Sequence, residues 1–140
     1  MKQLNIFYAV LLVTGLAFGY GQQVANSQEA APKGNKEFKA NVLEAVDLGP
    51  EIDGMQGRQL RMRLLTIEPG GYIGIHSHKD RPAVAYVVQG TDTVTLEDGT
   101  VKVLQPGDTT SADKDTTHWH RNNGKERVVL VAVDVFHKAN

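Results

Sequence analysis

The sequence predicts an all-β domain in which short antiparallel strands close into a barrel or sandwich. Three observations lead there. Extended, alternating or β-branched runs recur from Arg58 to Phe136, each bounded by a glycine- or proline-bearing turn. An Asp-Gly pair, Asp98-Gly99, sits between two such runs as a hairpin signal. No amphipathic helix longer than about two turns can be drawn after Lys36.

In chain order, the first feature lies outside this domain. Ile6 to Gly21 reads IFYAVLLVTGLAFGYG, uncharged and apolar, after a segment whose only charged side chain is Lys2. That pattern resembles a secretory signal peptide. A membrane span needs about 20 apolar residues, and this run is shorter and broken by Gly15, Gly19 and Gly21. Cleavage between residues 19 and 25 is therefore expected, giving residues 1–21 as signal, an exported product and no stable membrane anchor. Residues 22–37, rich in Gln, Asn, Ser, Ala, Pro and Gly, read as a flexible leader, and residues 38–140 as one folded domain.

Within the domain, Arg58 to Thr66 alternates, with Leu60, Met62 and Leu64 on one side and Gln59, Arg61, Arg63 and Leu65 mostly on the other. Glu68-Pro69-Gly70-Gly71 breaks that run, and Tyr72 to His78 resumes it. Val84 to Val88, Thr91 to Leu96, Val101 to Leu104, Thr116 to Arg121 and Arg127 to Phe136 complete the expected strands. The alternation of Val84 to Val88 points Ala83, Ala85 and Val87 inward.

Composition excludes several classes. The 140 residues contain no cysteine, which removes disulfide scaffolds, thiol catalysis and lipoprotein attachment. Fifteen basic against 16 acidic residues leave a formal charge of −1, without the basic footprint that nucleic-acid binding needs. Neither a nucleotide-binding glycine loop nor a Gly-x-Ser-x-Gly elbow occurs.

The chemistry lies in the histidines. Four of the five fall in two His-x-His pairs, His76-Ser77-His78 and His118-Trp119-His120. Residues i and i+2 of a strand share a face, so each pair sets two imidazoles side by side, and two converging pairs would make a transition-metal site. Read alone, each pair is equally compatible with solvent-facing histidines.

Pro69-Gly70-Gly71, His76-Ser77-His78 and Tyr86-Val87-Val88-Gln89-Gly90, followed by Pro106-Gly107-Asp108 and Thr117-His118-Trp119-His120-Arg121-Asn122, resemble the two motifs of the cupin superfamily. The resemblance spans Arg58 to Phe136 and is similar in detail to small exported bacterial single-domain cupins carrying His-x-His-x-Asp-Arg-Pro. It implies a cupin-like antiparallel β-barrel, also described as a double-stranded β-helix or jelly roll, and a divalent metal (Fe, Mn, Ni, Cu or Zn). Three of the metal positions in that pattern match His76, His78 and His118, while the glutamate position falls on Ala83.

Three outcomes follow from that gap: a three-histidine centre, a centre completed by His120, or a degenerate site without metal. Asp80 is a further oxygen ligand or base, or else a surface ion-pair partner in its loop with Arg81. The expected activity is that of a metal-dependent, dioxygenase-type oxidoreductase on a small organic molecule. A non-catalytic small-molecule or metal-binding module is the competing reading, and a sugar isomerase or epimerase the third. The resemblance also implies a homodimer, with Arg127 to Phe136 a contributor.

Of the remaining residues, Trp119 and Tyr86 are assigned to core or dimer packing rather than substrate stacking. Arg61 and Arg63 are read as a solvated strand face in preference to an anion site, Asn122 serves its turn, and His137 has no assigned role.

Overall fold

A computed structural model describes residues 30–137. The expected signal segment lies outside the described residues. Eight strands follow one another: β1 (Lys36–Asp47), β2 (Arg58–Ser77), β3 (Ala83–Gln89), β4 (Asp92–Leu96), β5 (Val101–Leu104), β6 (Thr109–Ala112), β7 (Thr117–Arg121) and β8 (Val128–His137). Among the described residues there is no helix, and every strand pairing is antiparallel. The sheet runs β5-β4-β7-β2-β8-β3-β6, with β1 added along β2. This is the all-β barrel expected from sequence.

The 20-residue β2 organises the barrel. Its first half pairs with β8, from Arg58↔His137 to Ile67↔Val128, and its second half pairs with β7, from Tyr72↔Arg121 to Ser77↔Thr117. The sequence reading placed two strands here, split at Glu68 to Gly71. The chain instead bends through that segment without leaving the sheet, because Gly70 takes φ +74°, which favours glycine. Asn122 clamps the corner. It is fully buried, its backbone exchanges bonds with Gly70 and Gly71, and its side-chain amide donates to Ile67 O and Glu126 O while accepting from Gly124 N.

The core is Leu65, Ile67, Ile73, Val87, Val128, Leu130 and Ala132, with Phe38, Ala85 and Leu104 packed against it. Full burial of each large side chain contributes about 1.5–3 kcal/mol. The inward face of β8 is Val128, Leu130, Ala132 and Asp134, the even-numbered positions. Register then makes the odd positions of β2 inward: Arg61 opposite Asp134, Arg63 opposite Ala132 and Leu65 opposite Leu130.

That register reverses one expectation. Leu60 and Met62 lie on the outside, 43% and 41% exposed, while Arg61 and Arg63 point in and bind the buried Asp134. Alternation alone gives the period of a strand and not which side is wet. β1 and β6 were not read as strands. β1 is an edge strand largely exposed, with a bulge between Val42 and Glu44 that spoils its period, and β6 is Thr-Thr-Ser-Ala, without a large apolar residue. β1 starts at Lys36, and Pro32 and Asn35, in the stretch read as leader, already bond to Ile75 N and Gly74 N.

Asn122→Ala leaves the Ile67 carbonyl and two neighbouring backbone groups without their partner, so it should lower the free energy of unfolding by about 2–3 kcal/mol in a urea titration. A loss under 0.5 kcal/mol would show that the corner does not depend on this amide.

Candidate metal centre

His76 on β2 stands directly opposite His118 on β7 in the antiparallel register. The period of 2 places His78 beside the first and His120 beside the second. The four imidazoles converge, with His118 Nε2 lying 3.1 Å from His78 Nε2, 3.2 Å from His76 Nε2 and 3.4 Å from His120 Nε2. One ring nitrogen from each of His76, His118 and His120 falls within 4.8 Å of the other two. His78, His118 and His120 are buried and His76 is partly so.

The second nitrogen of each outer ring fixes its tautomer. His76 Nδ1 lies 2.9 Å from Gly74 O, His78 Nδ1 2.9 Å from Arg81 O, and His120 Nδ1 2.7 Å from the carboxylate of fully buried Asp92. These partners only accept, so in the neutral rings each Nδ1 carries the proton and each Nε2 presents a bare lone pair. His118 Nε2 can offer at most one proton to three such acceptors. His118 Nε2 therefore satisfies no more than one of the three lone pairs directed at it, an arrangement that suits a shared cation. Orientation of ligating imidazoles through carbonyl or carboxylate partners on the far nitrogen is the usual support of a metal site.

On His76, His78 and His118 a proton is a poor candidate for that cation. Burial, countered in part by the Gly74 carbonyl, pushes His76 down to about 4, and burial followed by the neighbouring imidazoles pushes His118 down to about 2. Burial also lowers His78. All three are neutral at pH 7, the form that ligates a metal. With metal–nitrogen bonds of about 2.1 Å, neighbouring ligand atoms sit about 3.0–3.4 Å apart in octahedral and tetrahedral shells, and the separations from His118 match. His76, His118 and His120 thus fit a divalent transition metal; His78 lies outside that group of three and reaches His118 alone.

The cluster opens on a cavity of about 310 Å³. Ala83, Ala85, Leu65, Ile73, Leu130 and Ala132 give it an apolar wall. Ala83 and Ala85 face it as the sequence predicted, so the position of the absent glutamate is open space. Asp80 is not at the site: it is exposed, takes φ +64°, and accepts from Arg58, which holds its carboxyl below the usual range. The expected surface ion pair exists, with Arg58 as partner in place of Arg81. Trp119 is buried, whereas Tyr86 is 48% exposed on the outer face and belongs to no core.

Sequence reasoning missed two carboxylates. Asp92 orients His120, and Asp134 gathers three guanidiniums: Arg61 at 3.1 and 2.9 Å, Arg63 at 3.0 Å and Arg81 at 3.7 Å. Both were detectable by parity, since Asp92 shares its face with buried Val94, and Asp134 with Val128, Leu130 and Ala132. The reading of Arg61 and Arg63 as a solvated face is corrected here, because both are mostly buried and held inward by Asp134.

The family model for the cupin domain matches residues 63–135. Among solved structures, the chain is similar to a conserved double-stranded β-helix protein from Klebsiella pneumoniae, with a TM-score of 0.60, 21% identity, and coverage of 79% of this chain and 86% of that one. KdgF from a Halomonas species gives a TM-score of 0.56 at 20% identity, covering 78% and 90%. The polyketide cyclase RemF from Streptomyces resistomycificus gives 0.58 at 18%, covering 73% and 67%. Identities this low carry the fold alone. Among curated proteins none matches the chain.

Neutral buried histidines set a pH dependence for the metal-free protein. Unfolded histidine titrates near 6.5, while His76 and His118 stay unprotonated until about 4 and about 2. Between these limits the unfolded chain binds more protons, so stability is full above pH 6.5 and falls as pH drops below it. Metal-free protein should therefore show a lower urea midpoint at pH 5 than at pH 7, with the difference reduced in His118→Gln. Equal midpoints for the wild type would contradict the neutral cluster.

Proposed function

Since the chain belongs to the cupin family, we propose that it is an exported barrel protein that holds one divalent transition metal through His76, His78, His118 and His120 and uses it as a dioxygenase-type oxidoreductase on a small organic molecule. The observation that carries this reading is the meeting of bare imidazole nitrogens on the wall of a cavity. A bound metal of the iron, manganese, nickel, copper or zinc group would supply Lewis acidity, and redox chemistry where it is redox-active. The chain's own residues do the rest. Gly74, Arg81 and Asp92 aim the rings, and the alanine wall leaves room for a guest next to them while keeping that space apolar.

Ala83 favours a second reading, a non-catalytic module that sequesters a metal or small ligand, because it removes the carboxylate of the family pattern. Metal identity separates the two. Iron or copper with oxygen uptake supports the enzyme; tightly held zinc without turnover supports the module.

Export is supported by the apolar segment Ile6 to Gly21. A homodimer is supported by the outer sheet face. Rows such as Val46–Leu60–Val135 and Met62–Val133–Val84 cross neighbouring strands, and Val46, Leu60, Met62, Val84, Tyr86 and Val88 are all exposed. A second copy of the same face would cover these residues in an isologous pair.

Elemental mass spectrometry of protein from its own compartment should find about one equivalent of a transition metal and almost none in a His76→Ala/His118→Ala variant. Near-zero metal in both would end the metalloprotein reading. In sedimentation equilibrium the wild type should run at twice the monomer mass, and Met62→Lys/Tyr86→Lys at the monomer mass. A monomeric wild type would refute the pairing.

A further inference from the structure

The charge cluster behind the alanine wall is unbalanced. Arg61, Arg63 and Arg81 share one carboxylate, that of Asp134, so three positive charges against one negative leave a formal surplus of two. Arg61 is paired in a bidentate fork: its Nε and Nη2 donate to the two carboxylate oxygens, and its guanidinium lies 3.7 Å over the Phe136 ring. The other two are not. Arg63 reaches Asp134 through Nη2 alone, and its Nε is buried without a hydrogen-bond partner among the described residues. Arg81 stands 3.7 Å from Asp134, beyond hydrogen-bond range, while its backbone carbonyl receives His78.

These two underused guanidiniums are also the two that line the cavity, together with all four histidines. Burial of a guanidinium without compensation is costly, and Arg63 is depressed by its burial and then, against the pull of Asp134, by Arg61 and Arg81. A carboxylate entering the cavity would relieve this, since a planar fork pairs with carboxylate oxygens in two parallel bonds. We propose that the cavity binds a small organic anion, with Arg63 and Arg81 receiving its carboxylate beside the histidine cluster. Where a metal occupies the cluster, the far end of the anion meets it, and that half of the inference rests on the function proposed above. The arginine half does not.

The test is calorimetric titration of the full chain with malonate and with its neutral analogue malonamide, first stripped of metal and then after one equivalent of zinc. Malonate should bind about tenfold or more tightly than malonamide in at least one of these states, and its affinity, unlike that of the diamide, should fall as sodium chloride is raised. Arg63→Met should weaken malonate by about tenfold with the zinc stoichiometry unchanged, and Arg63→Lys should recover part of the loss. Should Arg63→Met fail to fold, Arg81→Met and the salt series give the same readout. Equal affinity for the two probes, no malonate binding by the wild type, or undiminished malonate binding by both folded arginine variants would overturn the proposal. If the wild type takes up no metal yet malonate still depends on Arg63, the metalloenzyme reading falls and this one stands.

Discussion

The pairing of His76 with His118 across β2 and β7 is the constraint on which the interior depends. A sheet has a side-chain period of two, so a slip of one residue in this register would send both imidazoles outward and bring Ile75 or Trp119 into their place. One irregularity lies within this pairing, a register shift between Ile73 and His76, beyond which His76 faces His118 and Ser77 faces Thr117. Asn122 ties the corner at Gly70 and Gly71 to β7, and the first half of β2 is locked to β8 by ten consecutive partners, Arg58 to Ile67. β2 carries Arg61 and Arg63 at one end and His76 at the other, with His78 just beyond its last residue, and the register shift between Ile73 and His76 turns both sets toward one cavity.

Two buried carboxylates divide the polar work inside this shell. Asp92 faces a single imidazole and sets its proton on Nδ1. Asp134 faces three guanidiniums and keeps them inside a barrel that would otherwise expel them. Exchanging their roles would defeat both: an imidazole beside three arginines would lose its orienting acceptor, and three arginines around a carboxylate already engaged by His120 would be uncompensated.

Much of this was legible in the sequence because strands and turns are local. The Asp98-Gly99 hairpin forms as read, with Gly99 at φ +87° and Leu96 N bonded to Thr100 O. The spacing of the His-x-His pairs announced the cluster because two side chains two apart on a strand must share a face. The inside and outside of β2 were not legible, since Leu60 and Met62 look like core until the strand is paired with β8. Hydrophobicity then misleads, because the wet-looking arginine face is dry and the apolar face is exposed. Nor could composition reveal β6, whose Thr-Thr-Ser-Ala is strand only because β3 lies alongside, from Ala83↔Ala112 to Tyr86↔Thr109.

The same register explains what replaced the family's glutamate. Ala83 pairs with Asp134 across β3 and β8, so a carboxylate is present one strand away from the position that lacks it. There it is committed to arginines and points no oxygen at the histidines. A metal held by neutral imidazoles alone keeps its full double charge, whereas a carboxylate ligand would cancel half of it. The space beside Ala83 adjoins the histidine cluster, where that charge would sit, on one side and the arginine surplus on the other, under a low-dielectric apolar wall that strengthens both fields. Alanine at position 83 and the arginine surplus act in the same electrostatic direction. Together they leave at Ala83 a position that the negative charge of the proposed guest would complete.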